Sequence, residues 1–202
     1  MSTVTDNCGN VLTGTLKSGY PTEIPSCEGD VVYKYTFTDC EGNSHDWTYT
    51  YTVELEDFTM PADGNSTVAC ASEITAPTLP TVTDNCGNAL TGILKSGYPT
   101  ATPSCEGDVV YKYTFTDCEG NSHDWTYTYT IEHSNAPSEE GDPVSTTGSV
   151  ECLSAATAPT TLPVVKDVCG NTLTAPTPIE GGTFDGCSGT KTYTYIYEDC
   201  SD

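Results

Sequence analysis

Arginine is absent from the 202 residues, and six lysines stand against 29 acidic residues for a formal net charge of −23. Affinity for nucleic acid comes largely from cationic side chains meeting phosphates, so a nucleic-acid partner is excluded, and an anionic membrane surface is disfavoured for the same reason. Apolar runs are short as well. None approaches the roughly 18 residues of a membrane helix, and the opening segment lacks a basic stretch followed by an apolar core, so no membrane insertion is expected. Leu, Ile, Val and Phe together number only 33, which by composition alone describes a disordered chain. No G-x-S-x-G, P-loop, dinucleotide fingerprint or H-E-x-x-H occurs, and the only histidines are His45, His123 and His133, so no enzymatic activity and no cofactor are expected.

What is present compensates for the missing aliphatics. Thirteen Tyr and two Trp supply apolar area, eleven Cys supply covalent constraint, and 36 Thr favour strands. Residues 3–54 and 81–132 match at an offset of 78, differing only at Val11/Ala89, Thr15/Ile93, Glu23/Ala101, Ile24/Thr102 and Val53/Ile131. A third, diverged copy carries Val168-Cys-Gly-Asn171 and Lys191-Thr-Tyr-Thr-Tyr-Ile-Tyr-Glu-Asp-Cys200. The array is therefore the unit of interpretation, with repeats at 1–54, 55–132 and 133–202. The first repeat lacks the opening strand that Ser66–Ala71 supplies to the second, and the third stops before any counterpart of Trp125–Ile131. The 202 residues are accordingly expected to be a window on a longer polypeptide.

Alternation within each repeat is strict. Val32–Thr38 and Trp47–Val53 place aromatics at every second position, which means strand. The polar segment Asp39–Asp46 between them predicts an antiparallel hairpin with its aromatic face inward and its threonine face outward. An all-β chain without helices follows.

Cysteines recur as Cys70, Cys86, Cys105 and Cys118 in the second repeat and as Cys152, Cys169, Cys187 and Cys200 in the third, whereas the first repeat has Cys8, Cys27 and Cys40. The absence of C-x-x-C and the scarcity of aliphatics point to a disulfide framework from an oxidising compartment. Cys105 and Cys118 bracket one uninterrupted strand, at about 3.3 Å per residue too long for the roughly 7 Å that bonded Cα atoms allow. That leaves Cys70–Cys118 with Cys86–Cys105, or Cys70–Cys105 with Cys86–Cys118.

Loop oxygens offer one candidate for metal. Asp39, Glu41, Asn43 and Asp46, with Asp117, Glu119, Asn121 and Asp124, are of the ligand type calcium prefers. Tyr20 and Tyr98 are the aromatics expected in loops, where a sugar could stack on them.

The strings Thr81-Val-Thr-Asp-Asn-Cys-Gly-Asn88, Cys105-Glu-Gly-Asp-Val-Val-Tyr-Lys-Tyr-Thr-Phe-Thr-Asp-Cys-Glu-Gly-Asn121 and Trp125–Ile131 resemble the hyalin repeat (HYR) family, and in particular its four-cysteine HYR-like variety in very long secreted bacterial surface proteins. The resemblance implies tandem immunoglobulin-like β-sandwiches, disulfide-stapled, in an extracellular setting at the bacterial cell surface. The implied topology favours Cys8–Cys27, Cys70–Cys118, Cys86–Cys105, Cys152–Cys200 and Cys169–Cys187, with Cys40 unpaired. The implied function is a structural stalk or filament segment of an adhesin, whose partners are neighbouring repeats or like chains. The alternative is a glycan- or calcium-dependent module whose repeats contact the ligand themselves.

Overall fold

The computed structural model describes residues 3–201. It is all-β: no α-helix occurs among the described residues, and the two three-residue 3-10 turns are Ala71–Glu73 and Leu153–Ala155. In repeat 1 the strands are β1 (Val4–Thr5), β2 (Val11–Leu12), β3 (Gly14–Leu16), β4 (Gly29–Thr38) and β5 (Ser44–Val53). Repeat 2 contributes β6 (Gly64–Val68), β7 (Val82–Thr83), β8 (Ala89–Leu90), β9 (Ile93–Leu94), β10 (Gly107–Thr116) and β11 (Ser122–Ile131). Repeat 3 contributes β12 (Ser138–Glu140), β13 (Val164–Lys166), β14 (Ile179–Phe184) and β15 (Gly189–Thr194).

The long hairpins form where the period-two pattern places them. β4 and β5 pair antiparallel with Tyr33 opposite Tyr49 and Tyr35 opposite Trp47, so aromatic side chains on one face meet across the ladder. β3 adds to β4 and completes a three-stranded sheet. The equivalent sheet of repeat 2 has four strands in the order β6-β11-β10-β9. The added strand, β6, runs parallel to β11, with Gly64 opposite Tyr127 and Val68 opposite Ile131. In repeat 3, β15 pairs with β14 and ends at Thr194, short of the strand expected to run on to Cys200. Among the described residues nothing takes the place beside it that β11 takes beside β10, and without a partner the ladder stops.

Packing divides the chain differently from the sequence repeats. One compact unit comprises Met1–Ala62, Leu79–Ile93 and Tyr113–Trp125, and the other comprises Asp63–Thr78, Leu94–Lys112 and Thr126–Asp202. The first buries Val31, Phe58, Val82, Tyr113, Phe115 and Trp125. There Gly92 lies so close to Phe115 that an added Cβ would sit 2.6 Å from the ring, so the ring is seated against bare backbone. The second unit buries Val109, Tyr129 and Ile131, with Val68, Ile74, Tyr111 and Tyr127 packed against them.

The aromatic face expected to point inward does so in repeat 2 and not in repeat 1. Trp125 and Tyr129 are 5% and 8% exposed, whereas their counterparts Trp47 and Tyr51 are 39% and 57% exposed.

Candidate functional site: the cysteine clasps

Two of the three clasps are built on a turn that the sequence encodes locally. In Asp84-Asn-Cys-Gly-Asn88 the Asp84 carboxylate accepts the backbone N–H of Cys86 (2.9 Å) and of Asn88 (2.8 Å), and its other oxygen accepts the Asn88 side-chain amide (2.8 Å). Asp6, Asp39, Asp117 and Asp167 repeat this with Asn10, Asn43, Asn121 and Asn171. The fourth residue of the turn is Gly with positive φ, 85° at Gly87 and 96° at Gly120, a region closed to most side chains. The Asn side-chain amide and the backbone N–H groups hold the Asp6, Asp39 and Asp84 carboxyls below the ordinary range. For Asp117 and Asp167 burial pushes upward, and the same donors more than reverse it. The turn thus fixes a cysteine on a rigid platform one or two residues after the aspartate.

Two disulfides use these platforms, Cys27–Cys118 through Cys118 and Cys70–Cys169 through Cys169, and a third is Cys105–Cys200, where Asp199 beside Cys200 accepts the Ser201 backbone N–H; the Cα separations are 5.8, 5.5 and 5.8 Å. Every one joins a cysteine of one repeat to a cysteine of the next, across 91, 99 and 95 residues. The expected pairs within repeats, Cys8–Cys27, Cys70–Cys118, Cys86–Cys105, Cys152–Cys200 and Cys169–Cys187, do not form. Cys8, Cys40, Cys86, Cys152 and Cys187 are free and exposed. The expectation treated each repeat as a closed body, but each compact unit is assembled from two repeats, so the partner within bonding distance belongs to the neighbour. Cys105 and Cys118, at the two ends of β10, are bonded elsewhere and not to each other.

Acidic groups and a histidine that no sequence motif singles out surround the clasps. Beside Cys27–Cys118, Glu28 accepts the Leu55 backbone N–H (2.8 Å) and shares a proton with Glu119. The hydrogen bond to Glu28, burial, and the charges of Glu28 and Asp117 push the Glu119 carboxyl up to about 7, while that same hydrogen bond draws Glu28 down. A residue whose pKa is raised by folding stabilises the fold below its unfolded value, and this contribution is lost as pH rises through the folded value. Stability from this pair should therefore fall between about pH 4.5 and 7. Glu119→Gln, which keeps an uncharged donor toward Glu28, is expected to melt above the parent at pH 8.5 and level with it at pH 5. A variant that melts below the parent at pH 8.5 would refute the shared proton.

In the second unit Glu106 accepts the His133 backbone N–H (2.7 Å). The His133 ring lies between two clasps, with Nε2 3.5 Å from Cys169 Sγ and Nδ1 3.6 Å from Cys200 Sγ. Its side chain is 6% exposed, and Asp199 lies 3.8 Å from Nδ1. Cys105, His133 and Cys200 offer ligand atoms within 4.8 Å of one another, but the two sulfurs are bonded to each other, which consumes the thiolates a soft metal needs. Sequence proximity gave no signal for this cluster, whose members are spread over repeats 2 and 3.

The calcium candidates do not converge. Asp39 with Asn43, and Asp117 with Asn121, are turned into their own turns. Asp46 receives Lys17 Nζ (2.6 Å) and Thr36 Oγ1 (2.7 Å), and Asp124 receives Thr114 Oγ1 (2.7 Å). Glu119 faces Glu28, and Glu41 is exposed. Each loop tyrosine carries a lysine against its ring, with Lys34 Nζ 5.4 Å from the Tyr20 ring centre and Lys112 Nζ 5.3 Å from that of Tyr98.

The three cysteine-bearing segments of this all-β chain also match a family model. The chain belongs to the HYR-like domains with four cysteines. The match covers residues 1–53, 58–131 and 141–202, and no curated protein matches the chain. HYR-like repeats and disulfides together indicate an extracellular repeat module of adhesion type. No helix among the described residues is long and apolar enough to cross a membrane.

Proposed function

We propose that this HYR-like chain is a stalk or filament segment of an adhesin at the bacterial cell surface, in which disulfides pass tension from repeat to repeat. The observation that carries this reading is that all three disulfides bridge successive repeats. A pull on the two ends reaches Cys27, crosses to Cys118, runs back along β10 to Cys105 and crosses to Cys200. Within this path the force acts along one strand between covalent bonds, and no hydrogen-bonded ladder has to hold it. About 40 residues can then stretch in place of about 200, which at about 3.5 Å per residue is about 150 Å in place of about 700 Å.

Single-molecule stretching of the chain held at its two ends tests the reading. Extension without reductant should stop near 150 Å and should reach about 700 Å once the disulfides are reduced. Full extension without reductant would remove the mechanical role.

A further inference from the structure

The bonded cysteines obey a translational rule. Numbered by their place in a complete repeat, the third cysteine of one repeat bonds the fourth of the next twice, as Cys27–Cys118 and Cys105–Cys200, and the first bonds the second of the next, as Cys70–Cys169. The same rule accounts for each free thiol. Cys152 and Cys187 call for the second and fourth cysteines of a following repeat, and Cys8 and Cys40 call for the first and third cysteines of a preceding one. Cys86 calls for a first cysteine in repeat 1, which that repeat does not hold. Every cysteine whose partner under the rule lies within the sequence is bonded, and every other one is free.

The free thiols also have the local geometry of the bonded ones. Cys8 and Cys169 each donate a backbone N–H to the turn aspartate at 2.9 Å. Cys40 sits in the same Asp-to-Asn turn as Cys118. Cys152 (φ −127°, ψ 143°) matches Cys70 (φ −135°, ψ 147°), and each leads into a 3-10 turn. Cys187 precedes β15 by two residues, as Cys105 precedes β10 and Cys27 precedes β4. Bonded and free cysteines are thus built alike.

From this we infer that the exposed thiols are built to bond a neighbouring repeat by the same rule, and that a second copy of this chain supplies one, joined head to tail through Cys152–Cys8 and Cys187–Cys40, with Cys86 left over. This inference rests on the pairing rule and stands independently of the mechanical role. The chemistry is thiol–disulfide exchange with a small-molecule disulfide such as oxidised glutathione. The Cys152 thiolate attacks it and expels one thiolate. The Cys8 thiolate of the second copy then attacks the protein sulfur of the mixed disulfide and expels the other. Two protons and two electrons leave the protein, and the oxidant departs as two thiols. Cys187 and Cys40 close in the same way.

The test oxidises the intact protein, its three disulfides in place, with glutathione disulfide, followed by non-reducing electrophoresis and peptide mapping. A ladder in steps of 21.4 kDa is expected, with Cys8–Cys152 and Cys40–Cys187 peptides and Cys86 still open to alkylation. Two variants sharpen it: Cys152→Ser/Cys187→Ser keeps only the receiving end, and Cys8→Ser/Cys40→Ser keeps only the donating end. Each alone should remain monomeric, and their mixture should stop at a covalent dimer. Dimers of either variant alone, scrambled pairs, pairs closing within one chain, or the absence of covalent oligomers would overturn the inference. Because all four positions are exposed, the substitutions should leave the fold, checked by its thermal transition, unchanged.

Discussion

Replacing Cys105 and Cys200 together by Ser is expected to cost on the order of 4 kcal/mol of unfolding free energy, whereas Cys86→Ser should cost less than about 0.5 kcal/mol. The disulfide spans 95 residues, and loop closure of that length restricts the unfolded chain by about 4 to 5 kcal/mol in the entropic account. Cys70–Cys169 overlaps the same stretch and shortens the loop still to be closed, which trims the figure by only a few tenths because closure entropy grows with the logarithm of length. Denaturant titration of the two variants under non-reducing conditions gives the comparison. The contrast decides connectivity as well as magnitude. If cysteines paired within repeats, Cys86 would be the partner of Cys105 and its replacement would itself break a disulfide, at a cost of about 3 kcal/mol. A loss of that size in Cys86→Ser would therefore contradict the bridging between repeats.

Trp125→Ala is expected to destabilise by about 3 to 5 kcal/mol, and the equivalent Trp47→Ala by less than about 1 kcal/mol. The two residues occupy the same place in near-identical strands, Ser-His-Asp-Trp-Thr-Tyr-Thr-Tyr-Thr followed by Val53 or Ile131. Trp125 is buried against Tyr113, ring centres 6.4 Å apart, and its indole N–H donates to the Ala62 carbonyl at 2.9 Å. Truncation there removes a large apolar side chain, leaves a cavity and orphans an acceptor. Trp47 stacks on Tyr49 with ring centres 5.8 Å apart and stays 39% exposed, so little is lost. Chemical denaturation of each variant measures the difference, and acrylamide should quench Trp47 emission in the Trp125→Phe variant far more than Trp125 emission in the Trp47→Phe variant. Similar losses for the two alanine variants would show that both faces are covered alike.

Sequence by itself determined the local structure of this protein. Alternation of Tyr and Trp with Thr at period two sets β4, β5, β10 and β11, because side chains of a strand alternate between its faces. The Asp-x-x-Gly-Asn spacing sets the cysteine-bearing turns, because an aspartate reaches the backbone two and four residues on and only Gly readily takes the left-handed position between. Strand length also separated Cys105 from Cys118, and the residue pattern of each repeat marked the family. Only the tertiary structure decided which cysteines meet and which aromatic face is covered. Eleven equivalent thiols carry no label for their partners. Whether a Trp is buried depends on segments far along the chain: the Ala62 carbonyl caps the Trp125 indole, while β6 and Ile74 cover the Tyr129 end of β11. Local pattern fixes what a strand offers, and long-range packing fixes what takes it, since burial and bonding are properties of pairs brought together across tens of residues and not of either member alone.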